Sequence, residues 1–194
     1  MTKTWNNIVL EKYKKNNKIL FNRDSECLFE LLELIKLQNH RTLIMWALDC
    51  AKIPQEKLAN TYPDDLRPFN AIELSYEWAF GIIKMRSAKK AILEVHAMAK
   101  ELEDKSDIAL CHAIGQACST VHVETHAIGL AFYELSAIVF ENIDGNWIEK
   151  VEEKINYYLD KLAYWQNNID NEPRKWADFL QDDSVPNKEK LLTK

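Results

Sequence analysis

Glycine and proline are scarce in this chain, at four and five residues of 194. Sandwich and barrel folds spend both residues freely on turns, so the scarcity predicts helices joined by short connections. No segment alternates apolar and polar residues with period two, which leaves no candidate strand. The four cysteines, Cys27, Cys50, Cys111 and Cys118, include no CxxC pair and sit in apolar helical contexts, as reduced buried thiols do. Long apolar runs are missing too. The opening MTKTWNNIVLEKYKKNNK has no stretch of signal-peptide length, and Ala127 to Phe140 is interrupted by Glu134 and too short to span a bilayer. The expectation is a soluble, cytoplasmic protein with no membrane partner. Positive charge is in deficit: 25 Lys and Arg against 30 Asp and Glu give a net charge of -5. Nucleic-acid affinity rests on cations neutralising phosphates, so no nucleic-acid partner is expected, and a basic protein is the easier partner electrostatically.

Apolar residues make up 47% of the chain, enough for one well-filled core, and one domain is the default. The expected architecture is all-α, a multi-helix bundle of about eight helices around a central helical hairpin. Residues 1–23 read as an arm or short helix, 24–180 as the helical domain, and 181–194 as a polar, mobile tail. The hairpin is Ser106 to Asn142, SDIALCHAIGQACSTVHVETHAIGLAFYELSAIVFEN. As one helix it would span about 55 Å, too long for a domain of this size, so a break near Val123 to Thr125 is expected, with Thr125 as N-cap. Cys111, Gly115, Cys118 and His122 share one face of its first half, beside a polar stripe of His112, Gln116 and Ser119. Tyr133 is expected to face Gly115 across the hairpin, and His122 and His126 to lie close together.

Around it the periodicity predicts a helix from Asp24 or Ser25 to about Gln38, and others over Thr42 to Lys52, Pro54 to Asn60, Phe69 to Gly81 and Ser87 to Leu102. Ser106 is read as the cap of the hairpin. Asp144-Gly145-Asn146 is a turn, after which Trp147 to about Ile169 forms a long helix burying Ile148, Val151, Ile155, Tyr158, Leu159, Leu162 and Trp165. Pro173 is expected to open a short helix, RKWADFL, whose Trp176, Phe179 and Leu180 cap the core. Trp176 and Phe179 also leave homo-oligomerisation open.

The chemistry-bearing residues form few constellations. His112, His122 and His126, with Glu124 or Glu134, have the donor types for a divalent ion, but HVETH lacks the HExxH order of zincins. Histidines on apolar helices more often serve as hydrogen-bonded core or hinge residues, so no metal and no cofactor is expected. Cys118 or Ser119 beside His122 lacks the orienting group and oxyanion site of a nucleophile, and there is no phosphate-binding glycine loop; the chain reads as a non-enzyme. Asp49 stands alone on an apolar helix and is expected either to face solvent at the helix edge or to have a partner such as Arg67. Acidic groups cluster at Asp64 and Asp65, at Glu101, Glu103 and Asp104, and at Asp178, Asp182 and Asp183, and such patches steer basic partners.

Three motifs carry a resemblance: Trp46-Ala47-Leu48-Asp49-Cys50-Ala51; Asp64-Asp65-Leu66-Arg67-Pro68 followed by Ala71-Ile72-Glu73 and Trp78; and Gly115-Gln116-Ala117 leading to Thr120-Val121-His122-Val123 and Thr125-His126-Ala127. In this order they resemble a family of bacterial immunity proteins, all-helical proteins assigned to polymorphic toxin systems. The likeness covers roughly residues 40–142. It implies neutralisation of a cognate toxin by binding, without catalysis. Asp49, Arg67, His112, His122 and His126 are then expected to define the fold. The toxin contact is sought on Asp64, Asp65, Glu101, Glu103 and Asp104. The alternative is a helical metalloprotein or metal-dependent enzyme using His112, His122 and His126.

Overall fold

The computed structural model describes residues 4–182. Its elements are α1 (Trp5–Lys14), α2 (Phe29–Lys36), α3 (His40–Cys50), α4 (Lys52–Thr61), α5 (Arg67–Ala79), α6 (Met85–Met98), α7 (Lys105–Ser119), α8 (Ala127–Asn142) and α9 (Trp147–Asn168). Short 3-10 turns lie at Glu26–Leu28, Glu124–His126, Ile169–Asn171 and Asp178–Leu180, and the described residues contain no strand. The protein is an all-helical bundle, and none of these helices is long and apolar enough to cross a membrane.

The central pair is α7 and α8. Small residues, Ala109, Ala113 and Ala117 on α7 and Ala127, Ala131 and Ala137 on α8, are buried in this pair. Their size lets the backbones approach while Leu110, Ile114, Leu130 and Leu135 fill the flanks. The break falls where expected, α7 ending at Ser119, Val123 extended and Glu124–His126 forming a 3-10 turn, but His126 and not Thr125 stands at the N-cap of α8. His40 and Arg23 hold this corner through the carbonyls of Thr120 (2.6 Å) and Thr125 (3.3 Å).

Caps explain several boundaries. Asn39 accepts the Thr42 N–H (2.8 Å) at the start of α3, and Asp104 accepts that of Asp107 (3.0 Å) at the start of α7. Ser106, the expected cap, is buried inside the first turn and donates its hydroxyl to Glu141 (2.7 Å). At the end of α5, Gly81 adopts φ +71, and the Gly81 and Ile82 N–H groups return to Trp78 (3.0 Å) and Glu77 (2.8 Å), a Schellman closure that needs glycine's left-handed freedom.

The long helix α9 lies across α3 and α8. Trp46 is fully buried and donates its indole N–H to the Tyr158 carbonyl (3.0 Å), while the Tyr158 ring meets it edge-on at 5.7 Å. Leu20 and Phe21, both fully buried, follow α1 into the core, where Ser136 Oγ accepts the Leu20 N–H (2.9 Å). Residues 173–177 do not form the expected helix. The Ala177 N–H donates to the Ala79 carbonyl (2.8 Å), which docks Trp176 and Leu180 as buried residues in an irregular strap ending in one 3-10 turn. Phe179 stays half exposed against the Trp78 ring. Residues 1–3, Asp183 and the rest of the expected polar tail lie outside the described residues.

Candidate functional site

The connection between α4 and α5 and that between α6 and α7 come together at one end of the bundle. Arg67 at the start of α5 joins them. Its backbone N–H, Nε and Nη2 donate to the Asp65 carboxylate at 3.0, 2.9 and 2.6 Å, while Nη1 and Nη2 donate to Glu101 at 2.8 and 2.6 Å. A guanidinium fork fits two carboxylates this way because its five N–H groups are planar and fixed. Hydrogen bonds from Arg67 hold the Asp65 and Glu101 carboxyls below their ordinary range, and both acids raise Arg67 in turn. Close by, the Tyr62 hydroxyl donates to Asp107 (2.8 Å), which pushes the phenol up to about 12.

The five acidic residues expected to contact a partner therefore divide. Asp65 and Glu101 are committed to Arg67, and Asp104 caps α7. Asp64 and Glu103 are exposed and make no hydrogen bond or ion pair with another described residue. Sequence patterning missed Leu66 and Phe69, 60% and 48% exposed beside them, because both fall where an amphipathic helix is expected to begin. Rigid carboxylates flanked by two accessible apolar side chains make a surface suited to a basic protein.

Arg67 is not the partner of Asp49. The end of α3 rests on α9, so Asp49 accepts from Lys161 (2.9 Å), Lys52 (3.2 Å) and the Trp165 indole (3.3 Å). These cations hold its carboxyl below the ordinary range although burial works the other way.

The histidines do not converge as a trio. His112 faces His96 of α6, with their Nδ1 atoms 2.9 Å apart, and its ring lies tilted against that of Tyr133 at 5.1 Å. His122 lies against the Trp78 ring at 6.0 Å, and His126 Nδ1 pairs with Gln116 Oε1 at 2.8 Å. Among the described residues no three His, Cys, Asp or Glu side chains are grouped to hold a metal ion. Tyr133 accordingly faces His112 and not Gly115. Gly115 makes room for the His96 ring, and Gly129 for the Gln116 side chain. Those two glycines inside apolar helices were the signal for this polar seam, whose His96 the sequence reading overlooked. The neighbouring nucleophile candidates are occupied: Cys118 is fully buried with its thiol pushed up to about 12, and Ser119 donates to the Gly115 carbonyl (2.7 Å).

The seam predicts an inverted helix-propensity effect. Gly to Ala inside a helix ordinarily stabilises by up to about 1 kcal/mol. At Gly115 the added methyl meets the imidazole of His96, so Gly115→Ala is expected to destabilise by about 1 kcal/mol, as overpacking does. In a His96→Ala background the same substitution should become neutral or stabilising; urea unfolding of the four proteins checks the sign reversal.

Residues 33–163 match the family model described as Imm-5 like putative immunity protein. The chain belongs to that family. No curated protein and no solved structure matches it. The span of the immunity family takes in the Arg67 clamp, both acidic connections and the histidine seam, whereas α1 and the strap after α9 fall outside it.

Proposed function

We propose that this immunity-family protein neutralises a cognate toxin by binding it in the cytoplasm, without catalysis, and that the acidic end of the bundle makes the contact. The observation that carries the reading is the Arg67 clamp. By tying two connections into one unit it removes much of the cost of ordering them when a partner binds. Asp64 and Glu103 then supply negative charge that steers a basic surface, and Leu66 and Phe69 supply apolar area to be covered. Cysteines without disulfides support a reducing compartment.

The test is co-expression with a toxin encoded beside this gene, sought for the purpose, followed by affinity measurement on the purified pair. Asp64→Lys combined with Glu103→Lys should weaken binding at least about tenfold and flatten its salt dependence, since rim charges act mainly through long-range attraction. Charge reversal at Glu33 on α2, away from the acidic end, is the control and should change neither. Full protection and unchanged affinity in the double variant would remove the acidic end from the interface.

A further inference from the structure

Helices α5 and α6 form an antiparallel hairpin with unlike ends. Hydrogen bonds from Arg67 to Glu101 bring the start of α5 beside the residues that follow α6, so the 80–84 turn lies at the opposite end, about 20 Å away along α5. The near end is the acidic one described above. Its unpaired carboxylates are Asp64 and Glu103, with the α7 cap Asp104 beside them and Lys100 opposing them.

The turn end carries the other sign. Lys84, Arg86 and Lys89 are exposed, and their side chains make no ion pair or hydrogen bond with another described residue, while Lys90 pairs with Glu94 (3.7 Å). Glu77 on the last turn of α5 is outnumbered by these cations. Ile82 and Met85 are 70% and 43% exposed among them, and the Gly81 backbone abuts Ala177 of the strap, whose Phe179 is half exposed as well.

Each end therefore combines accessible apolar side chains with charge that the fold leaves unpaired: Leu66 and Phe69 with carboxylates, Ile82 and Met85 with cations. Covering such a surface is favourable when the facing area is apolar at its centre and opposite in sign around it. An anionic bilayer would meet only the basic end. A second copy of this chain meets both ends at once.

We propose that the basic end of one copy docks on the acidic end of another. The two patches differ, so the contact is head-to-tail and leaves one patch of each kind open unless a ring closes. Few apolar side chains lie on either face, so the contact is small, weak and dependent on charge. This docking does not depend on a toxin. Only its consequence rests on the toxin reading: a docked copy covers the surface assigned to the toxin, so the two compete.

Sedimentation velocity on the full chain without toxin, up to about 1 mM protein, is the test. At about 25 mM salt the weight-average mass should rise with concentration, and at about 300 mM salt it should return to that of the monomer. Lys84→Glu with Lys89→Glu should hold the protein monomeric, and so should Asp64→Lys with Glu103→Lys. All four changes in one chain exchange the signs of the two patches and should restore association to within about threefold, a rescue that damage to the fold would not give. Lys14→Glu with Lys15→Glu at the end of α1 adds the same negative charge elsewhere and should leave association intact, which separates complementary patches from net repulsion. A monomer at every concentration in low salt would overturn the proposal, as would a fourfold variant that stays monomeric. Binding of the basic end to phosphatidylglycerol vesicles without self-association would assign that end to an anionic lipid surface and overturn it likewise.

Discussion

Lys154→Met is expected to lower the unfolding free energy by about 3–5 kcal/mol. Glu134 is 2% exposed and sits between two partners: the Lys154 ammonium at Oε1, and the Tyr158 hydroxyl, which donates to Oε2 at 2.5 Å. Without the ammonium, a carboxylate stays in the core with one phenol to solvate it, and burial of an uncompensated charge is among the most damaging single changes known. Pairing the substitution with Glu134→Gln should recover most of the loss. The amide keeps an acceptor for Tyr158, and two neutral side chains avoid the desolvation of both ions. Urea unfolding of wild type, single and double variants provides the check. A deficit below about 1 kcal/mol in the single variant would mean that water reaches Glu134 and that the pair is not desolvated.

The same reasoning separates charge that builds the fold from charge that is free to act. Glu134, Asp49 and Glu101 each hold a cation from a distant point of the chain, and Asp65 fixes Arg67 from two residues away. Asp64 and Glu103 hold none, although their neighbours are tightly bound. A surface of this kind, with its loops tied together through Arg67 and its outer carboxylates unspent, is ordered before a partner arrives.

Much of the bundle was legible in residue periodicity. Val151, Ile155, Tyr158 and Leu162 are buried along α9 at the spacing that predicts them, as are Cys111, Gly115 and Cys118 along α7. A stripe is a local property, and local properties are what a sequence displays. Pairings of charged and polar side chains are not local. Asp49 and Lys161 are 112 positions apart, and which cation reaches Asp49 depends on the crossing of α3 over α9, which no spacing encodes. Arg67 went to Glu101 for the same reason. The strap at 173–177 failed as a helix because one backbone hydrogen bond to Ala79 and the burial of Trp176 outweigh the weak propensity of a seven-residue segment. At the candidate site the acidic residues were readable from composition, but their division into clamped and free members was not.

Between pH 7 and 4.5 the protein should lose about 2 kcal/mol of stability through histidine protonation. The cause is the seam between α6 and α7. With Nδ1 facing Nδ1 at 2.9 Å, one ring of the His96 and His112 pair donates and the other accepts, so the accepting ring is neutral in this arrangement. Burial, then the His112 and His126 charges and that of Lys100, press His96 down to about 4; burial and Lys18 lower His112 as well. A histidine depressed in the fold gives no pH dependence above its unfolded value near 6.5, where both states are neutral. As the pH falls from there towards 4, the unfolded chain takes up protons that the folded protein refuses, and stability declines. Full burial of His96 would give a steeper loss than about 2 kcal/mol, but the ring is partly open to solvent, which screens the effect. Below about 4 the depressed carboxyls of Asp49, Asp65 and Glu172 add a second decline with the same sign. His96→Gln should cost the imidazole hydrogen bond at pH 7.5 yet flatten the slope between 6.5 and 4.5, so that the two stability curves converge or cross in acid. Urea unfolding at half-unit steps measures this directly, and parallel curves for the two proteins would show that the seam does not resist protonation.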